Sequence, residues 1–170
     1  MSIFLKVISM KIAVLGYAGS GKTYLSDYLS EKNNIPVLHL DELKWDKEWK
    51  PVDDSVVLPK VSEFMQKENW IIDGYYTYLM LDKRLEDADK IVLLLLPRST
   101  CFFRALKRTL SRRKAGYKND MNWWFVKFTL FGCRNKERRQ YYDKIAEKYN
   151  NKTVVLKTKQ QVGKFMKKYG

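Results

Sequence analysis

Hydrophobic and polar positions along the chain alternate between two periods. Short apolar runs at residues 12–15, 36–40, 70–72, 91–96 and 153–156 are strand candidates. The run at 91–96 is apolar throughout, as a strand buried on both faces is. Residues 22–32, 55–67, 98–114, 123–131, 134–149 and 160–168 carry helical patterns between and after them. Five strands separated by helices predict an α/β fold built on a five-stranded parallel sheet with right-handed crossovers. Ligands of such sheets sit outside the carboxyl ends of the strands.

Composition narrows the class. The 170 residues are 45% hydrophobic and 14% aromatic, which excludes disorder, and 8 Gly with 4 Pro exclude collagen-like and low-complexity chains. A chain this long buries roughly 70% of its unfolded surface and needs no disulfide or structural metal to hold a core. Its two cysteines, Cys101 and Cys133, form no CxxC pair, so a reducing, cytoplasmic setting is expected. No apolar stretch reaches the ~20 residues of a membrane span. Met10 directly precedes the first strand, which suggests an upstream extension over residues 1–9 and a single domain over 10–170.

Charge divides the chain. Up to Pro97 there are 12 basic and 15 acidic side chains; after it there are 21 basic and 4 acidic, so the whole net charge of +14 arises there. No Pro/Gly/Ser-rich linker marks the change, which implies two faces of one domain.

Candidate chemistry begins at the end of the first strand. Gly16-Tyr17-Ala18-Gly19-Ser20-Gly21-Lys22-Thr23 satisfies G-x-x-x-x-G-K-[ST] at every position, between a strand and a helix. Gly16, Gly19 and Gly21 let the backbone turn tightly, so that N–H groups around Ser20 converge on a di- or triphosphate at the helix N-terminus. Lys22 then meets the β- and γ-phosphates of ATP, and the Thr23 hydroxyl is positioned for Mg²⁺. A second metal carboxylate is expected from Asp73, which the third strand delivers at its carboxyl end. Asp41 ends the second strand and reads either as a substrate or metal-water contact or as a helix N-cap. His39, inside that strand, reads as a packing residue without a role.

In the basic part, Arg104, Arg108 and Arg112 fall at four-residue spacing on one helical face, with Phe102, Phe103, Leu106 and Leu110 on the core side. Arg134, Arg138 and Arg139 open the later helix. Guanidinium groups closing over transferred phosphate oxygens are what phosphoryl transfer requires.

Together these residues resemble the P-loop nucleotide kinases of the adenylate kinase type. Within that group the likeness is strongest to the bacterial DNA topology modulation proteins. It rests on His39-Leu40-Asp41-Glu42-Leu43-Lys44-Trp45 with Trp49, on Trp70-Ile71-Ile72-Asp73-Gly74-Tyr75-Tyr76, and on Leu96-Pro97-Arg98 with Cys101, Arg104 and Arg108. The resemblance implies a three-layer P-loop NTPase fold with a short lid at about residues 112–122. It also implies that Arg104 stacks on the adenine, that Arg108 reaches the phosphates, and that Arg134 and Arg138 are catalytic or substrate-binding arginines. One departure stands out: those kinases carry Asp-Gly-Phe-Pro-Arg after the third strand, where this chain has Asp73-Gly74-Tyr75-Tyr76-Thr77 and no arginine for an acceptor phosphate. Asp41, Trp45, Trp49 and Tyr75 are then the acceptor candidates, suited to a ring or a hydroxylated small molecule.

Two readings follow. The first is an ATP- and Mg²⁺-dependent kinase of an unidentified small molecule, with Lys22, Arg104, Arg108, Arg134 and Arg138 stabilising charge. The second is a nucleic-acid-binding regulator that uses the basic surplus after Pro97, with nucleotide binding structural or switching.

Overall fold

In the computed structural model the described residues are 10–46, 48, 50–114, 127, 128, 130 and 132–170, with 108–114 described by backbone alone. The expected extension at residues 1–9, Trp49, the Arg108 side chain, most of the helix at 123–131 and most of the lid lie outside them.

Five parallel strands form one sheet in the order β2-β3-β1-β4-β5: β1 (Lys11–Gly16), β2 (Val37–His39), β3 (Trp70–Asp73), β4 (Lys90–Leu94) and β5 (Thr153–Leu156). Alternation along β1 explains why two layers of helix are needed. Ala13 and Leu15 face one core with Trp70, Ile72, Ile91 and Leu93, while Ile12 and Val14 face a second with Ile71, Val92 and Leu94. Helices α3 (Asp54–Met65), α4 (Leu81–Asp87) and α6 (Lys136–Lys148) cover the first face through Val57, Val61, Leu81, Leu85, Tyr142 and Ile145. Helices α1 (Lys22–Asn33) and α7 (Lys159–Tyr169) cover the second through Leu25, Leu29, Val162 and Phe165. The result is the expected three-layer α/β architecture.

The register positions the site. His39 pairs with Asp73, and Asp73 with Val14, so β2 and β3 end in one row while β1 runs on two residues to Gly16. Gly16 stands opposite Leu94 on the other side of β1. Asp73 therefore arrives beside the start of α1 because β3 is the direct neighbour of β1.

Several local expectations need correction. Leu40 does not extend β2; it opens a short helix, α2 (Leu40–Lys44), because the chain must turn away at the sheet edge. Helix α4 escapes the apolar pattern because Arg84 is fully buried on the face it shares with Leu81 and Leu85. On α5 (Arg98–Lys114) the core side is held by Cys101 and Ala105, four residues apart, and Phe103 is 64% exposed instead of buried.

Candidate functional site

The segment from Gly16 to Thr23 wraps from β1 into α1. Gly16 has φ of +150°, and a Cβ there would run into the Leu94 carbonyl; Gly19 has φ of +72°, and a Cβ would lie 2.6 Å from the Cys101 carbonyl. Only glycine combines those backbone angles with that clearance. Gly21 precedes Lys22 as the N-cap of α1 without a side-chain cap, so the helix N-terminus is left to whatever enters the loop. The Ser20 hydroxyl is buried and has no partner among the described residues.

Four side chains meet at the row where β2 and β3 end. The Thr23 hydroxyl donates to Asp73 Oδ2 at 3.0 Å. His39 Nδ1 lies 3.0 Å from the same oxygen, and its Nε2 lies 2.8 Å from Asp27 Oδ1. The hydrogen bond to Asp73 is the main reason that the His39 imidazole is pushed up from 6.5 to about 9, against the opposing effect of burial. Thr23 and Asp73 offer hard oxygen donors, the set that suits Mg²⁺ with water and phosphate completing the shell. Among the described residues no cluster of three or more His, Cys, Asp or Glu forms a closed metal cage.

Cations frame the loop unequally. Lys22 Nζ reaches the Tyr17 carbonyl at 3.4 Å, and Arg104 Nη1 donates to the Ser20 carbonyl at 2.6 Å, so Arg104 stands against the loop itself. Arg134 is buried: Nη2 donates to the Leu96 carbonyl at 2.8 Å and to Cys101 Sγ at 3.0 Å, and the guanidinium lies 3.9 Å from the centre of the Tyr17 ring. Arg138 lies 3.9 Å from the centre of the Tyr75 ring. Tyr142 meets Tyr17 edge-on at 5.6 Å and Tyr75 at 5.7 Å, so an aromatic ladder ties the loop at Tyr17 through α6 to the segment after β3. A cleft of about 400 Å³ opens beside this ladder, lined by Tyr17, Leu95, Pro97, Arg134, Arg139 and Lys157.

On the opposite side, Asp41 lies within α2, whose N-cap position is held by His39, so the N-cap alternative for Asp41 does not hold. Asp41 Oδ1 accepts from the Tyr76 hydroxyl at 2.6 Å, and that oxygen accepts from Trp45 Nε1 at 3.1 Å. Burial first, and then the bond to Asp41, push the Tyr76 hydroxyl up. The structure thus joins Asp41 and Trp45 through Tyr76, while Tyr75 turns to Arg138 and α6.

Two residues escape a reading from sequence. His39 has no signal beyond its position at a strand end, opposite an acid on the neighbouring strand. Arg84 anchors the segment after β3 by donating to the carbonyls of Leu79 at 2.9 Å, Gly74 at 3.0 Å and Tyr76 at 3.0 Å.

No family model matches the sequence, and no curated protein matches it either. Solved structures do superpose. A gluconokinase from Sinorhizobium meliloti 1021 aligns with a TM-score of 0.56 at 18% identity, covering 95% of this chain and 89% of its own. The fold is shared with that structure. A sugar kinase from Janibacter sp. HTCC2649 gives 0.54 at 14% identity over 94% and 91% of the two chains. A shikimate kinase from Bacteroides thetaiotaomicron gives 0.51 at 18% identity over 94% and 95%. The likeness therefore extends over nearly the whole chain, and at these identities it is one of fold. Among the described residues, no helix is long and apolar enough to cross a membrane.

Proposed function

We propose that this P-loop protein is an ATP- and Mg²⁺-dependent kinase that phosphorylates a small hydroxylated acceptor. The observation that carries the reading is the hydrogen bond between Thr23, at the N-terminus of α1, and Asp73, at the end of β3. It brings a hydroxyl and a carboxylate together beside a glycine-built anion cradle. In this reading Gly16, Gly19 and Gly21 shape the cradle, backbone N–H groups near Ser20 hold phosphate oxygens, and Lys22 places its charge on them. Thr23 and Asp73 would hold Mg²⁺, which would supply charge neutralisation to the phosphate oxygens.

Arg104, already against the loop, approaches the nucleotide from α5, and Arg108 on the same helix keeps the phosphate role that the resemblance implies. Arg138, held over Tyr75 between the loop and the acceptor side, is the guanidinium assigned to the transferred group. Arg134, bonded to Leu96 and Cys101 and stacked on Tyr17, fixes the wall at which α6 meets the loop, and Arg138 acts from that platform. Asp41 takes the acceptor hydroxyl, with Trp45 and Tyr75 as ring surfaces and Tyr76 orienting the Asp41 carboxylate. The fold shared with three small-molecule kinases supports this reading. For the nucleic-acid regulator, by contrast, the support is the charge surplus after Pro97.

Screening nucleosides, nucleotides and hydroxylated metabolites for acceptor-dependent ADP release tests the proposal. A compound that stimulates release by the wild type and not by Lys22→Ala supports it. Release that never exceeds the Lys22→Ala background across the panel overturns it.

A further inference from the structure

Asp73 Oδ2 takes two donors, Thr23 Oγ1 and His39 Nδ1, each at 3.0 Å. Oδ1 receives no hydrogen bond from the described residues. His39 is itself held from its far side by Asp27, at 2.8 Å. Both partners of His39 are carboxylates, which accept, so each ring nitrogen serves as a donor.

Thr23 and Asp27 lie four residues apart on α1, on one face of that helix. Thr23, Asp73, His39 and Asp27 therefore form a closed circuit that leaves α1 at its first turn, crosses to β3 and β2, and returns to α1 one turn later. Asp73 is 4% exposed, and the His39 side chain 12%. A circuit of this kind fixes the Asp73 carboxylate relative to the Thr23 hydroxyl before anything binds, and leaves Oδ1 to an incoming ligand.

We propose that His39 is the positioning residue of the metal site, orienting the Asp73 carboxylate toward a Thr23-bound Mg²⁺ from an anchor on Asp27. The proposal rests on the reading above that Thr23 and Asp73 hold the metal. Partners that orient a metal ligand in this way typically account for about 10- to 100-fold in metal affinity.

Two substitutions separate positioning from mere packing. His39→Asn keeps a donor near Nδ1, facing Asp73; His39→Gln keeps one near Nε2, facing Asp27. ATP binding is measured by calorimetry with Mg²⁺ and with EDTA, beside a thermal melt of each variant. His39→Gln is expected to raise the Mg²⁺ concentration for half-maximal enhancement of ATP binding by about 10-fold or more. His39→Asn, which keeps the donor to Asp73 and loses only the anchor on Asp27, is expected to shift it less than His39→Gln does, and metal-free ATP affinity to be unchanged in both.

Asp27→Ala, at a half-exposed position outside the core, is expected to shift Mg²⁺ dependence in the same direction as His39→Gln. This keeps the proposal testable if a His39 variant fails to fold. Equal Mg²⁺ dependence in His39→Asn and His39→Gln, no shift in Asp27→Ala, or equal weakening in EDTA overturns the positioning role alone. A wild type whose ATP affinity ignores Mg²⁺ overturns the metal reading, and the positioning role falls with it.

Discussion

Arg138 lies over Tyr75, its guanidinium carbon 3.9 Å from the ring centre. Tyr75 follows directly on Asp73-Gly74, and its ring meets Tyr142 of the same helix that carries Arg138. The arginine is thus aimed by a residue just past the end of β3. A planar guanidinium stacks on a ring where a lysine ammonium, a compact point charge, does not. Arg138→Lys is expected to lower acceptor-dependent ADP release by about 100-fold, a modest share of what an arginine at a transferred phosphoryl group contributes. ATP affinity, measured alongside, should change little. An Arg138→Lys protein of wild-type turnover would remove Arg138 from the chemistry.

The loop glycines give a prediction about stability. Gly16→Ala forces a residue with φ of +150° to carry a Cβ that meets the Leu94 carbonyl of the neighbouring strand. Backbone strain and the steric clash together should cost about 3 kcal/mol in urea unfolding. Gly163→Ala, where nothing lies within 4 Å of the added Cβ, is the control and should be neutral or slightly stabilising in its helix.

Arg84 is fully buried, and its guanidinium donates to three backbone carbonyls. Burial lowers its pKa to about 10, so it remains a cation at neutral pH. Arg84→Met keeps most of the volume and takes the guanidinium donor from three carbonyls, of which that of Tyr76 keeps the Leu79 N–H. A loss of about 3 kcal/mol or more is expected by urea denaturation. Disturbance should extend along residues 74–79 to the Asp41–Tyr76 bond.

These cases mark how far the sequence could be read. The strand alternation around Ile12, Ile71 and Val92 and the glycine spacing from Gly16 to Gly21 are local patterns, and they carried the sheet, its layers and the tight turn from β1 into α1. The arrival of Asp73 beside Thr23 followed from a hydrophobic strand ending in an acid. Arg84 and His39 were not legible, because each is a polar residue whose partners lie on other elements and reveal themselves only once the chain is folded. Helix α4 was hidden by the same buried arginine. On α5 the buried positions are the small residues Cys101 and Ala105, one position before the expected Phe102 and Leu106, and Phe103 is exposed. Tyr76 stood beside Tyr75 with no local cue to tell which of them would turn toward Asp41.

His39 is the only histidine in the chain, which makes its titration easy to follow. Folding raises its pKa from 6.5 to about 9, so its contribution to stability is complete below pH 6.5 and is lost as the pH rises through 9. In metal-free buffer, the difference in unfolding free energy between wild type and His39→Asn should shrink across that window. The histidine ring resonances should shift over the same range. A ring that titrates near 6.5 in the folded protein would contradict the paired geometry.

The most direct test of the nucleotide site is a calorimetric titration of Mg·ATP into the wild type and Lys22→Ala. Saturable one-site binding is expected for the wild type, weakened at least about 10-fold when the Lys22 ammonium and its charge-assisted bonds to phosphate are removed. Equal affinity in the two proteins would contradict a nucleotide site built on Gly16 to Thr23.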